Sequence, residues 1–241
     1  MKPFWIALST LTLFPIGVKK WTSQDLKNSL VFYPLVGLFL GFLVSLNRFW
    51  PAPVSVQALF ALLTGVFLTL GFHLDGLADC LDGWLGGKNP AQRYRIMKDP
   101  SIGTYGAAGL FLLLLSKYAF LQLLLGRTDA WKYLTFIPAA ARWCVCLASF
   151  LHSAPSHYKG LAVRLLGMSA PRFFISGLFL IPGFFFFPLS FIFILAGGAG
   201  FTIFWTALSK RMIGGLTGDG LGALIELTEA GLLLLAALTL I

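Results

Sequence analysis

Apolar runs of membrane length recur along this chain, separated by shorter polar connections. Residues 30–46, 51–72, 105–125, 133–151 and 221–241 each read as one span, and residues 173–208 hold two or so, with Pro182 and Pro188 as kinks or the break between them. A helix needs about 20 residues to cross a bilayer core. Residues 4–18 are shorter, carry Pro15 and end at Lys19-Lys20 without a small-residue cleavage pattern. That stretch reads as a short or re-entrant membrane segment rather than a cleaved leader. The expected fold is all-α: a polytopic membrane helix bundle of seven to eight segments, forming a single membrane-embedded domain over residues 1–241. No internal repeat, low-complexity tract or separable soluble domain interrupts it.

Composition sharpens this picture. The chain is 58% hydrophobic and only 11% charged, with a mean hydropathy of +0.84, far more apolar than one soluble core requires. Its formal charge of +9 does not point to nucleic acid, because the basic residues are dispersed between apolar runs, as positive-inside bias places them. Cys80, Cys144 and Cys146 lack metal-site spacing to a histidine and read as small packing residues without disulfides. His152 and His157, in a polar connection, are given no role.

The acids break the apolar pattern. Of nine Asp and Glu residues, four lie between Asp75 and Asp99 and three between Asp219 and Glu229. If residues 73–83 continue as a helix, Asp75, Asp79 and Asp82 fall at i, i+4 and i+7, within a stripe about 60° wide. Two ionised carboxylates about 6 Å apart repel by roughly 3 kcal/mol at an effective dielectric near 20. No Lys or Arg within the stretch relieves them, so either a pKa rises or a cation sits between them, and the stripe suits a divalent cation carrying a phosphorylated substrate. Gly76 and Gly83 leave a bare strip beside it, where a ligand or a second helix can approach.

Downstream, Lys88, Arg93, Arg95 and Lys98 supply cations for phosphate oxygens, and Pro100 and Gly103 mark a turn within Met97-Lys98-Asp99-Pro100-Ser101-Ile102-Gly103-Thr104-Tyr105-Gly106. In the second acidic stretch a glycine-rich approach leads to Asp219, with Glu226 and Glu229 on the same helical face. Lys117 and Arg142 fall inside apolar runs. A central cation there costs about 2.5–3.5 kcal/mol unless it snorkels or meets a partner, and a phosphate or carboxylate partner is expected for Arg142.

With eight segments, the connections at 19–29, 73–104, 152–172 and 209–220 share one side and carry twelve Lys and Arg, against four on the other. That excess makes the first side cytoplasmic and places both acidic stretches on it.

These residues also resemble a known family, the cobalamin synthases or adenosylcobinamide-GDP ribazoletransferases. The likeness rests on His73-Leu74-Asp75-Gly76-Leu77-Ala78-Asp79 with Asp82-Gly83, on Met97-Lys98-Asp99 with Ile102 to Gly106, and on Gly214-Gly215 and Thr217-Gly218-Asp219 through Gly222-Ala223, Glu226 and Glu229. With length and span pattern it covers the whole chain. It implies an Mg²⁺-dependent enzyme of the prokaryotic cytoplasmic membrane that joins α-ribazole, or its 5′-phosphate, to adenosylcobinamide-GDP and releases GMP. Within it, Asp75, Asp79 and Asp82 are expected to hold the metal. Asp82, Asp219 and Glu226 are the expected catalytic carboxylates, and Arg93, Arg95, Lys98, Tyr105 and Arg142 the expected substrate contacts. The expected partners are the two substrates and the lipid bilayer; an oligomer is allowed but not required. A lipid enzyme of the CDP-alcohol phosphotransferase kind would explain the first stripe but not the second acidic stretch. A cation or solute transporter would place its acids nearer the bilayer midplane.

Overall fold

The structure, a computed structural model, describes residues 2–14, 21–152, 160 and 164–238. Pro15, Lys19, Lys20, His157 and Lys159, which entered the reading of the first segment, the charge count and the histidines, lie outside the described residues. Among those described the regular structure is all helical: α1 (Lys2–Leu11), α2 (Ser23–Ser29), α3 (Tyr33–Ser45), α4 (Val54–Leu68), α5 (Phe72–Gly86), α6 (Pro90–Ile96), α7 (Thr104–Leu125), α8 (Ala130–Leu151), α9 (Ala170–Leu178), α10 (Ile181–Phe186), α11 (Pro188–Ile213) and α12 (Gly218–Leu238). Short 3₁₀ turns flank α3, so that Ser23–Phe49 runs as one long apolar unit.

Five of these units are long and apolar enough to cross a membrane alone, and the bent pair α4–α5 adds a sixth. The multi-pass helical architecture is as expected; among the described residues the count of seven to eight segments is not confirmed. The difference lies in short pieces. α1 has only ten residues, and the run before Pro188 is divided into α9 and α10, of nine and six residues. Large apolar side chains such as Phe39, Phe67, Phe111, Phe185 and Leu189 face outward, the surface a bilayer would cover.

α8 and α12 form the buried centre. α3 packs along α8 at Gly37, where an added Cβ would lie 2.6 Å from the Ala139 Cα. The acidic helix α5 is not an extension of the span before it. It leaves α4 at 87°, and the corner is made by Leu70 and Gly71, both with positive φ. Glycine takes that conformation without strain, which is why the turn falls there. Leu13 N–H, just beyond α1, donates 2.8 Å to the Leu68 carbonyl and so satisfies a group that the α4 terminus leaves open.

Candidate active site

The two acidic helices meet backbone to backbone. A Cβ on Gly76 of α5 would lie 2.8 Å from the Asp219 carbonyl oxygen, and one on Gly222 of α12 would lie 3.2 Å from the His73 Cα. The absent side chains allow that approach, and it brings Asp75, Asp79 and Asp219 to the wall of one cleft of about 330 Å³. From α11, Trp205 fixes the junction: its indole N–H donates 2.8 Å to the Gly220 carbonyl, and its ring stacks on Trp84 of α5 at 4.6 Å between centroids.

The third side of the cleft is the connection after α6. Lys98 Nζ donates 2.7 Å to Asp219 Oδ2. Partial burial lowers the lysine's pKa, but the Asp219 hydrogen bond and charge outweigh it, so Lys98 is held above its ordinary value and stays cationic. Asp99 folds the same connection: Oδ1 accepts from Ser101 N–H at 2.9 Å, and that bond lowers the pKa of its carboxyl.

Four expected site residues have other work. Asp82 lies on the stripe, but its two oxygens accept from the Gly103 and Gly106 N–H groups, each at 2.8 Å. The carboxylate fills the space where a Cβ on either glycine would stand, so Asp82 fastens the start of α7 to α5. Arg93 donates from Nε to the Gly87 carbonyl and from a terminal nitrogen to the Met212 carbonyl, both at 3.0 Å, clamping the α5–α6 corner to the end of α11. Glu226 accepts from Lys117 Nζ at 2.5 Å, and Glu229 accepts from the same ammonium at 2.8 Å. Arg142 pairs with Glu229. These four charges form a largely buried, balanced network joining α7, α8 and α12. The carboxylate partner expected for Arg142 is present; the snorkelling considered for Lys117 is not. Arg95 and Tyr105 are exposed and do not line the cleft.

The side-chain-free strip on α5 receives helices: α12 at Gly76, and α6 at Gly83, where a Cβ would lie 2.8 Å from the Arg93 carbonyl oxygen. The three cysteines are free and buried. Among the described residues no group of three His, Cys, Asp or Glu side chains is placed to hold a metal ion. The cleft therefore offers Asp75 and Asp79, with Asp219 partly neutralised by Lys98.

The model of the cobalamin-5-phosphate synthase family matches residues 3–237. The chain belongs to this family. Its similarity to individual members extends from end to end. It is 37% identical to an adenosylcobinamide-GDP ribazoletransferase of Syntrophobacter fumaroxidans, over 97% of each chain. It is 38% identical to one of Pseudomonas syringae, over 99% of this chain and 100% of that one, and 37% identical to one of Acinetobacter baumannii, over 97% and 96%. No solved structure matches. Membership in the cobalamin-5-phosphate synthase family displaces the lipid-enzyme and transporter alternatives.

Proposed function

We propose that this chain is a membrane-embedded ribazole transferase of cobalamin assembly, joining α-ribazole or its 5′-phosphate to adenosylcobinamide-GDP. A ribose hydroxyl oxygen forms a bond to the phosphorus that bears the cobinamide. The bond from that phosphorus to the bridging oxygen breaks, GMP leaves with that oxygen, and the hydroxyl proton passes to a carboxylate of the cleft. Such a displacement needs positioning and charge neutralisation more than a protein nucleophile. The observation that carries the reading is the convergence of Asp75, Asp79 and Asp219 with Lys98 on one cleft, in a chain whose relatives bear this activity in their names along their whole length.

In this reading Asp75 and Asp79 hold Mg²⁺ together with the diphosphate. Two carboxylates fit that ion, which commonly takes one or two from protein and fills its shell with phosphate oxygens and water. The bound ion would supply neutralisation of the diphosphate charge. Lys98 holds a diphosphate oxygen or orients Asp219, and Asp82 keeps the Gly103–Gly106 turn, and with it Lys98, against α5. The cleft faces the cytoplasm, supported by the excess of Lys and Arg on the side where the connections after α6 and α11 meet.

One reaction tests the proposal: purified protein in lipid, both substrates, with and without Mg²⁺, the corrinoid product weighed by mass spectrometry. A corrinoid product carrying the ribazole unit in place of GMP, with free GMP, is expected only when the metal is present. Mg²⁺ uptake into proteoliposomes with no GMP formed would defeat it.

A further inference from the structure

A second cavity of about 270 Å³ adjoins the acidic cleft and shares Asp75, Lys98 and Asp219 with it. Beside motif residues such as His73 and Thr217, its walls include parts of the chain to which the motifs assign nothing: Thr10 and Leu11 of α1, Tyr33 of α3, Val145 of α8 and Ile225 of α12. The two cavities differ in chemistry. The first adds Asp79, Asp99 and Ser101 to the shared edge and opens beside exposed side chains. The second is mostly apolar, with a few polar atoms set into it. Tyr33, 3% exposed, has its hydroxyl 3.4 Å from Thr10 Oγ1, and the buried Nδ1 of His73, on the same wall, has no hydrogen-bond partner.

We infer that this second cavity is the seat of the acceptor nucleoside, and that the short helix α1 forms one wall of it. The inference rests on the ribazole-transfer reading. A benzimidazole riboside has about twenty non-hydrogen atoms, an apolar planar base and a hydroxyl-bearing sugar, and a small, largely apolar pocket with a few placed polar groups suits it. A corrinoid is too bulky for either cavity, so the donor lies outside with its diphosphate in the acidic cleft. Displacement at phosphorus requires the incoming hydroxyl and the departing GMP on opposite sides. Two cavities meeting at Asp75, Lys98 and Asp219 give the two substrates separate approaches to one point.

This also explains why so short a helix is held so firmly. Ile6 and Ala7 of α1 are 1% and 0% exposed although α1 is too short to span a membrane. The helix is packed as part of a wall.

Native Cys80, Cys144 and Cys146 are at most 1% exposed, so Thr10→Cys places a single accessible thiol at the cavity. The purified variant is labelled with a maleimide, wild type serving as the unlabelled control. α-Ribazole should slow labelling at least about tenfold and adenosylcobinamide-GDP less than about twofold. In steady state Thr10→Phe should raise the KM for α-ribazole about tenfold and leave that for adenosylcobinamide-GDP unchanged. Equal or stronger protection by the donor, protection by neither, or a rise in the donor KM alone would overturn the assignment. Failure of the underlying reading looks different: wild type itself would then release no GMP.

Discussion

Two clusters of charge on the same helix, about two turns apart, show how balance separates structure from chemistry. At the α12 N-terminus, Asp219 joins Asp75 and Asp79 around a single ammonium, that of Lys98, leaving negative charge in surplus at a partly exposed cleft. Farther along, Glu226 and Glu229 meet Lys117 and Arg142, two charges of each sign, nearly shut off from solvent. Buried charges must be paired because desolvation costs several kcal/mol per ion. The inner cluster satisfies itself and ties three spans together. The outer one, among the described residues, keeps its negative surplus.

Breaking the inner balance should have the largest effect. Either Glu226→Gln or Lys117→Met leaves a buried charge short of a partner, and each should cost about 3–5 kcal/mol of stability. Made together, they leave Arg142 with Glu229 and should cost less than either alone, measured by thermal unfolding in detergent as a double-mutant cycle. Simple additivity of the two costs would mean that the pair does not act as a unit.

The outer cluster should answer in the opposite way. Asp79→Asn should lower GMP release by about 10²–10³-fold, the usual range for losing one group that stabilises charge in the transition state. Its unfolding temperature should not fall, because the change relieves repulsion among like charges rather than orphaning one. Near-normal turnover would remove Asp79 from the site, and a large loss of stability would make it a structural residue like Glu226.

Sequence periodicity made the outer cluster legible and hid the inner one. Asp75 and Asp79 share a face by helical spacing alone, and Gly76 and Gly222 announce a close approach before any partner is known. Asp82 shares that face too, but its partners are amides 21 and 24 residues away, and only the docking of the Gly103–Gly106 turn decides between a ligand and a fastening. Lys117 reaches Glu226 and Glu229 across 109 and 112 residues, a pairing that no local pattern encodes. Isolated cations in two spans and isolated acids in a third, equal in number, were the signal available for it. The right-angle corner at Leu70–Gly71 was concealed because the apolar run continues unbroken to Phe72.

The smallest effect falls where the two clusters most resemble each other, at an ion pair. Lys98–Asp219 has the short contact of the inner pairs, yet the Lys98 side chain is half exposed, and pairs so placed are worth at most about 1 kcal/mol and weaken with salt. The pKa of Lys98 is raised on folding. Its contribution is therefore fully present below the ordinary lysine value of 10.5 and is lost as the pH rises through the higher folded value. The difference in unfolding temperature between wild type and Lys98→Met should then be small, shrink with added salt, stay level through the neutral range and diminish only under strongly alkaline conditions. A difference that vanished near neutral pH would show Lys98 losing its proton there. The lysine would then sit in a far less negative cleft than one shared with Asp75, Asp79 and Asp219.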